Sequence, residues 1–361
     1  MDPVEIELPT YRVLIARGGL ADLGRVATSS TRAHRYALIA DSNVAPLYAS
    51  RVRGALGEGR TTLYTVPSGE EHKTRQSWSS LTDSMLADGF GRDSAVVALG
   101  GGVVGDLAGF VAATYMRGIP FIQVPTTLLA MIDASIGGKT GVDTPSGKNL
   151  VGAFHHPAAV IADPDVLRTL PAEHLRAGLA EAIKHGVIAD AAYFDEVVGS
   201  APDIVSGGRT AGGAIERVVV RSIAIKADVV RRDEREGGLR KTLNFGHTIG
   251  HAIELRSDYR MLHGEAVAVG MVIESRVAEK LGVAEPGTSD RVRAAIERTG
   301  LPAARPADQT PDAILAATRG DKKARSGVVE YALPARIGAM AGADRGWGIP
   351  VSDDVVLEVL K

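Results

Sequence analysis

Through its first 170 residues the chain alternates short apolar runs with amphipathic stretches. Residues 12–15, 36–40, 62–66, 95–99, 121–124 and 160–162 are brief and rich in apolar and β-branched side chains. Several stop at a breaker: Asp41, Pro67, Gly100 and Pro125. Short buried strands separated by helical stretches predict a mostly parallel sheet with right-handed crossover helices. The period then changes. Residues 171–188, 214–231, 243–254, 264–281 and 289–299 repeat their apolar positions every three or four residues, which predicts helices. Ser289-Asp290 and Ser352-Asp353 are candidate N-caps. Residues 206–213 carry four glycines and are expected to form a surface loop. The boundary falls near residue 170, giving an α/β domain over 1–170 and an all-α domain over 171–361.

Composition narrows the class. The chain has 361 residues, 45% hydrophobic and 23% charged, with a net charge of −2. That balance suits a soluble protein with a core, and it offers no basic surface for nucleic acid or membrane lipid. The most apolar stretch, 96–113, holds five glycines and Asp106, so it does not read as a membrane span. The start lacks the basic and apolar regions of a signal peptide, and a cytoplasmic enzyme is expected. There is no cysteine, so a metal would have to use His, Asp, Glu or water. The ten lysines are outnumbered by thirty-one arginines. Lysines inside polar motifs therefore stand out: Lys139, Lys148, Lys184, Lys226 and the pair Lys322-Lys323.

A glycine-rich turn and a later cationic block have the chemistry of anion sites. Gly100-Gly101-Gly102-Val103-Val104-Gly105-Asp106 follows the run 95–99 directly and satisfies G-x-G-x-x-G. Glycines there let backbone N–H groups approach a pyrophosphate at a helix N-terminus. The usual carboxylate about twenty residues later is missing, and Asp41 is the better candidate for a ribose hydroxyl. A second loop, Pro67-Ser68-Gly69-Glu70-Glu71-His72-Lys73, sits at another strand end. Farther on, Gly137-Gly138-Lys139-Thr140 resembles the end of a P-loop, but Asp133 stands where that motif needs glycine. With Ser146-Gly147-Lys148-Asn149 it forms a cationic block suited to phosphate or carboxylate.

Three of the nine histidines lie within seventeen residues: His247, His251 and His263. His247 and His251 are spaced to share a helix face, which Arg240 and Asn244 would extend by a turn each. Such a stripe suits a metal and an oxygen-rich anion better than a core. By spacing alone His247 and His251 are the first ligand pair, completed by His263 and a carboxylate such as Glu181 or Glu265.

These motifs together resemble 3-dehydroquinate synthase. The glycine turn through Phe110, Val124-Pro125-Thr126-Thr127-Leu128-Leu129, Gly137–Val142 and Gly147–Leu150 carry the likeness. So do Leu179-Ala180-Glu181-Ala182-Ile183-Lys184, the segment from Asn244 to Glu254, and His263-Gly264-Glu265-Ala266-Val267. The resemblance implies an N-terminal NAD-binding α/β domain, a C-terminal helical domain that binds metal and substrate, and a homodimer. It assigns one Zn²⁺ or Co²⁺ to Glu181, His247 and His263, and moves His251 from the metal to the substrate. It implies substrate or catalytic roles for Asp133, Arg117, Lys139, Lys148, Asn149, Lys184, Lys226, Arg240 and Asn244, and for either Lys322 or Lys323. It places NAD on Asp41, Glu70, Lys73, the turn residues Gly101, Gly102, Val103 and Gly105, Asp106, Thr126, Thr127 and Thr169, with Lys139 and Lys148 nearby.

The implied reaction converts 3-deoxy-D-arabino-heptulosonate 7-phosphate to 3-dehydroquinate and phosphate, a step toward aromatic amino acids. Rival readings are another sugar phosphate cyclase, a metal-dependent polyol dehydrogenase and a non-catalytic sensor. The phosphate-directed lysines argue against the dehydrogenase, and the complete acid–base set argues against the sensor.

Overall fold

The computed structural model of the chain describes residues 2–207, 211–319, 324–325 and 328–361. They form two compact units, Met1–Leu170 and Pro171–Lys361. Lys322 and Lys323 lie outside the described residues.

The first unit is built on a seven-stranded sheet. Its strands are β1 (Val4–Glu7), β2 (Arg12–Ile15), β3 (Arg35–Asp41), β4 (Thr61–Val66), β5 (Ser94–Gly100), β6 (Phe121–Pro125) and, after a hairpin, β9 (Ala159–Ala162). The hairpin pairs β7 (Lys139–Thr144) with β8 (Gly147–Phe154). The sheet order is β1-β2-β9-β6-β5-β3-β4. Only β1 runs antiparallel, against β2; the other pairings are parallel. All seven residues of β5 are buried, as expected of a central strand covered on both faces.

Helices α1 (Leu23–Ser30), α2 (Ala45–Leu56), α3 (Arg75–Ala87) and α4 (Gly102–Thr114) make the crossovers. From β3 the chain moves outward to β4 through α2; from β5 it moves the other way to β6 through α4. Right-handed crossovers in opposite directions place α2 and α4 on opposite faces of the sheet. Accordingly α2 packs with α1, and α4 with α3. The reversal lies between β3 and β5, where an open α/β sheet has its ligand crevice. Gly105 brings α4 tight against that sheet: a Cβ there would lie 2.7 Å from Gln123 Oε1.

The second unit is helical: α5 (Ala172–Ala189), α6 (Ala191–Ser206), α7 (Ala211–Arg232), α8 (His247–Arg256), α9 (His263–Lys280), α10 (Thr288–Arg298), α11 (Pro311–Thr318) and α12 (Asp353–Leu360). The expected all-α unit also carries short antiparallel strands. β10 (Ala324–Arg325), β11 (Val328–Tyr331) and β14 (Ile349–Pro350) form one sheet; β12 (Pro334–Arg336) and β13 (Ala339–Met340) form a hairpin. Strands of two to four residues are too short to show a period of two in sequence.

Three local expectations change. Residues 243–254 do not form one helix. Leu239–Asn244 makes a 3₁₀ turn, Gly246 adopts φ 78°, and α8 starts at His247. Arg240 and Asn244 therefore do not extend a single helical stripe. Of the glycine-rich 206–213 segment, Ser206 ends α6, Gly207 caps it at φ 69°, and Gly212 and Gly213 lie inside α7. Helix α10 starts at Thr288, one residue before the expected 289–299 span, and its N-cap is Gly287 at φ 86° in place of the Ser289-Asp290 candidate.

The tightest packing in this unit is between α9 and the start of α8. A Cβ on Gly270 would lie 1.9 Å from the Gly246 carbonyl oxygen and 2.8 Å from the Gly250 nitrogen. Both are backbone atoms, so no side chain can move aside. We expect Gly270→Ala to cost about 3 kcal/mol or more, near the upper end for overpacking. Urea denaturation of metal-free protein checks this; a loss below about 0.5 kcal/mol would contradict the close approach.

Candidate active site

The buried chemistry of the helical unit starts on α5. Glu181 and Lys184 are one turn apart, at 0% and 1% exposure, and their side chains are ion-paired. Placing such charges in a helix interior costs several kcal/mol each unless partners repay it. Two partners come from other helices. His247 Nε2 lies 3.6 Å from Glu181 Oε1, and His263 Nε2 lies 3.5 Å from the same atom. His247 is the first residue of α8 and His263 the first of α9. His251 completes the group, with a ring nitrogen within 4.8 Å of nitrogens on both other rings.

The histidine environments differ. Burial pushes His247 well below the ordinary imidazole range, and the Lys184 ammonium adds to that. Burial acts the same way on His263, but the Glu254 and Glu181 carboxylates outweigh it and hold His263 up at about 10. Their second ring nitrogens are also engaged. His247 Nδ1 is 3.0 Å from the Phe245 carbonyl oxygen, and His263 Nδ1 is 3.2 Å from Glu254 Oε2. Glu274 of α9, fully buried, accepts from the Gly246 N–H at 2.6 Å and the Ile249 N–H at 3.0 Å. It caps α8 in place of a side chain that Gly246 lacks.

The same unit carries Arg240, Asn244 and Lys226. Arg240 is 3% exposed; its N–H donates to Asp233 Oδ2 at 2.9 Å, and its guanidinium to the Glu234 carbonyl. Asn244 Nδ2 donates to Glu236 Oε1 at 2.5 Å. Lys226 is buried on α7, one turn after Ser222, which is hydrogen-bonded to His185 Nδ1 at 2.9 Å.

In the α/β unit, the nucleotide candidates gather at the carboxyl ends of neighbouring strands. Asp41 ends β3, and its Oδ1 accepts from the N–H groups of Asn43 and Val44 at 2.8 and 3.0 Å. Gly101, Gly102, Val103 and Gly105 form the turn and first helical turn after β5. Thr126 and Thr127 follow β6; Thr127 Oγ1 accepts from the Ala130 N–H at 3.1 Å. The buried Thr126 hydroxyl has no hydrogen-bond partner among the described residues. Thr169 follows β9, and its Oγ1 lies 2.7 Å from the Tyr48 hydroxyl.

Glu70 and Lys73 follow β4. Lys73, 3% exposed, reaches Asp106 Oδ2 at 2.5 Å and Asn149 Oδ1 at 2.7 Å. Burial alone would lower its pKa, but Asp106 and Glu70 hold it above the usual lysine range. Lys148 Nζ lies 3.2 Å from Glu70 Oε1. The tip of the β7–β8 hairpin is thus tied to the β4 loop, with Asn149 at φ 53°. Asp143 completes the tie: its N–H donates to the Lys73 carbonyl at 2.7 Å, and its Oδ1 accepts from the Asn149 N–H at 2.8 Å.

Asp133 lies half-buried in a π-helical turn, Ala130–Ala134, and Lys139 is exposed at the start of β7. Arg117 stands apart. It is exposed beyond the C-terminal end of α4, with φ 69°, while the glycine turn is at the other end. Thirteen helical residues separate them by about 20 Å. Sequence reasoning missed Asp143, Glu254 and Glu274. Asp143 falls beside a recognised motif with nothing in its spacing to mark it, whereas Glu254 shares the i, i+4, i+7 spacing of His247 and His251, a signal that could have found it. Glu274 has no local signal, since it acts on another helix.

The family model for the 3-dehydroquinate synthase N-terminal part matches residues 63–177, and that for the C-terminal part matches 178–324. A protein of Symbiobacterium thermophilum named 3-dehydroquinate synthase is 48% identical over 339 residues, 93% of this chain and 94% of that protein. Among solved structures, 2-deoxy-scyllo-inosose synthase complexed with carbaglucose-6-phosphate, NAD⁺ and Co²⁺ aligns with a TM-score of 0.87 at 28% identity, covering 99% of each chain. The 2-epi-5-epi-valiolone synthase of Streptomyces hygroscopicus, with NAD⁺ and Zn²⁺ bound, also reaches 0.87, at 31% identity over 98% of this chain and 97% of that one.

The hairpin tie predicts a pH dependence. Burial raises Asp143 from the usual 3.8 to about 6, against the lowering pull of Lys73 and the Asn149 N–H. Its stabilisation is therefore complete below the unfolded value and is lost as pH rises through about 6. Relative to Asp143→Asn, wild-type stability is expected to fall by about 1 kcal/mol from pH ~4 to pH ~7, after allowing for solvent screening. Urea melts at the two pH values check this; a rise in the wild type's relative stability contradicts it.

Proposed function

The chain belongs to the 3-dehydroquinate synthase family, and from that premise we propose that it converts 3-deoxy-D-arabino-heptulosonate 7-phosphate to 3-dehydroquinate and phosphate. It is an enzyme of the phosphate-eliminating lyase type. The observation that carries the reading is the convergence of His247 and His263 on one oxygen of buried Glu181. Two imidazoles and a carboxylate are a donor set for Zn²⁺ or Co²⁺ that leaves a position open. The unpartnered Thr126 hydroxyl and the glycine turn at the strand ends fit a dinucleotide in the α/β unit.

When bound, NAD⁺ supplies a recyclable hydride acceptor, and the divalent ion supplies a Lewis acid for the substrate hydroxyl. The residues divide the remaining work. Glu181, His247 and His263 hold the ion. The turn N–H groups, Asp41, Glu70, Lys73, Asp106, Thr126, Thr127 and Thr169 hold the dinucleotide. Lys139, Lys148 and Asn149 of the α/β unit are donors suited to a phosphate through charge-assisted hydrogen bonds, and Lys226 is a substrate-binding cation of the helical unit. In the helical unit Arg240 and Asn244 fix the carboxylate and hydroxyls, with Lys184 a further substrate residue of that unit; Asp133 is a substrate residue of the α/β unit. His251 takes and returns the alcohol proton, the task imidazole performs best near neutral pH.

A second copy of the chain is the proposed partner. The apolar side chains that β8 exposes, Leu150, Val151 and Phe154, support a homodimer. The rival reading is another sugar phosphate cyclase, favoured by the two solved structures. Relatives at above 40% identity over nearly the whole chain, named 3-dehydroquinate synthase, weigh more.

Protein loaded with Zn²⁺ or Co²⁺ and given a trace of NAD⁺ is expected to release one phosphate per dehydroquinate formed, with no net NADH. Turnover of a different sugar phosphate in its place would select the rival. Chelation is expected to abolish turnover and either ion to restore it; full activity without metal contradicts the assignment. His251→Ala is expected to keep its metal and lose about 10²-fold in rate. Loss of the ion in that variant would make His251 a ligand instead.

A further inference from the structure

The polar face of α8 runs toward its C-terminus. His247, His251 and Glu254 are spaced by four and then three residues, which puts them on one side of the helix. Glu254 is 3% exposed, and its Oε2 is 3.2 Å from His263 Nδ1. Burying a carboxylate there is costly unless partners offset it, and the His263 imidazole is one such partner.

The link from α8 to α9 is shaped to make this contact. It passes through Asp258 at φ 51° and Tyr259 at φ 58°, two successive non-glycine residues in the left-handed region. Such a residue is strained and persists only where its surroundings impose it. The turn is held by Ser257 Oγ donating to the Glu254 carbonyl at 2.7 Å and the Tyr259 N–H donating to the same oxygen at 3.2 Å. The Met261 N–H donates to Ser257 Oγ at 3.2 Å, and the Leu262 N–H to Glu265 Oε2 at 3.0 Å. The chain then re-enters a helix at His263, with Nδ1 against Glu254 and Nε2 toward Glu181.

We propose that Glu254 is a positioning residue of the metal centre, fixing Nδ1 of His263 as the hydrogen-bearing nitrogen and aiming Nε2 at the ion. It touches neither the ion nor the substrate. His247 has a neutral counterpart in the Phe245 carbonyl, so Glu254 is the charged support of the pair. A carboxylate behind a ligand imidazole makes the ring a stronger donor and restricts its orientation. The inference rests on Glu181, His247 and His263 being the ligands.

Co²⁺ affinity measured by competition with a chelator, together with the visible d–d bands of the Co²⁺ protein, tests it. Glu254→Gln keeps an acceptor for Nδ1–H and removes the charge; Glu254→Ala removes both. The expected losses are about tenfold and about a hundredfold, within the range for such supports, with altered d–d bands in the Ala variant. Wild-type affinity and bands in Glu254→Gln and Glu254→Ala overturn the proposal; should the Ala variant not fold, unchanged affinity in Glu254→Gln alone does so. A wild-type protein that takes up no Co²⁺ overturns the ligand assignment instead, which keeps the two failures apart.

Discussion

The helical unit is organised around the cost of burying Glu181. A carboxylate with no exposed surface loses its hydration, and several kcal/mol must be returned by neighbouring charge and hydrogen bonds. Lys184 returns part of it from the same helix, and His247 and His263 converge from two others. Holding two imidazoles against one oxygen requires the start of α8 to lie directly on α9. Gly246 and Gly270 permit that contact, and Glu274 anchors the backbone N–H groups it leaves. Packing in this region serves an electrostatic requirement that hydrophobic burial alone would never create. The divalent ion proposed at the same oxygen would meet that requirement more fully than protons can, which would link the fold of this unit to its chemistry.

The α/β unit solves a different problem with backbone geometry. Its strand order reverses between β3 and β5, so helices diverge to opposite faces and leave a crevice at the strand ends. Asp41, the glycine turn, Thr126 and the Lys73 loop all follow from where their strands stop. Lys73 then joins three elements, the β4 loop, α4 and the β7–β8 hairpin, through Asp106 and Asn149. Glu70, Lys73 and Asp106, proposed for the dinucleotide, and Lys148 and Asn149, proposed for the phosphate, are therefore parts of one hydrogen-bonded structure within this unit.

Much of this was legible in the sequence. Strand positions came from apolar runs with breakers at their ends, because buried parallel strands must be apolar on both faces. The change to a helical period near residue 170 marked where the sheet ends. The kink at Gly246 was not legible: the 3.6-residue pattern continues across it, and only tertiary packing makes glycine adopt φ 78° there. The exposed hairpin escaped because β8 lacks alternation, with Asn149, Leu150 and Val151 exposed in succession. Spacing alone paired His247 with His251 and left Glu181 or Glu265 open as the carboxylate; the resemblance took His251 off the metal and chose Glu181. The geometry explains why spacing was ambiguous, since all three rings cluster and Glu181 reaches them from a helix distant in sequence. Glu274 acts across a helix boundary, where no local pattern records it; Glu254 shares a helical spacing with His247 and His251, but its partner His263 lies on the next helix.

X-ray absorption of the Co²⁺-loaded protein tests the central claim most directly, because it reports the donor atoms themselves. Coordination through Glu181, His247 and His263 predicts two imidazole nitrogens and one carboxylate oxygen from the protein, with the imidazole signal halved in a His263→Ala variant that still binds. Three imidazoles and no carboxylate would contradict it, placing the ion on the histidine cluster and leaving the buried Glu181 without the role that this account gives it.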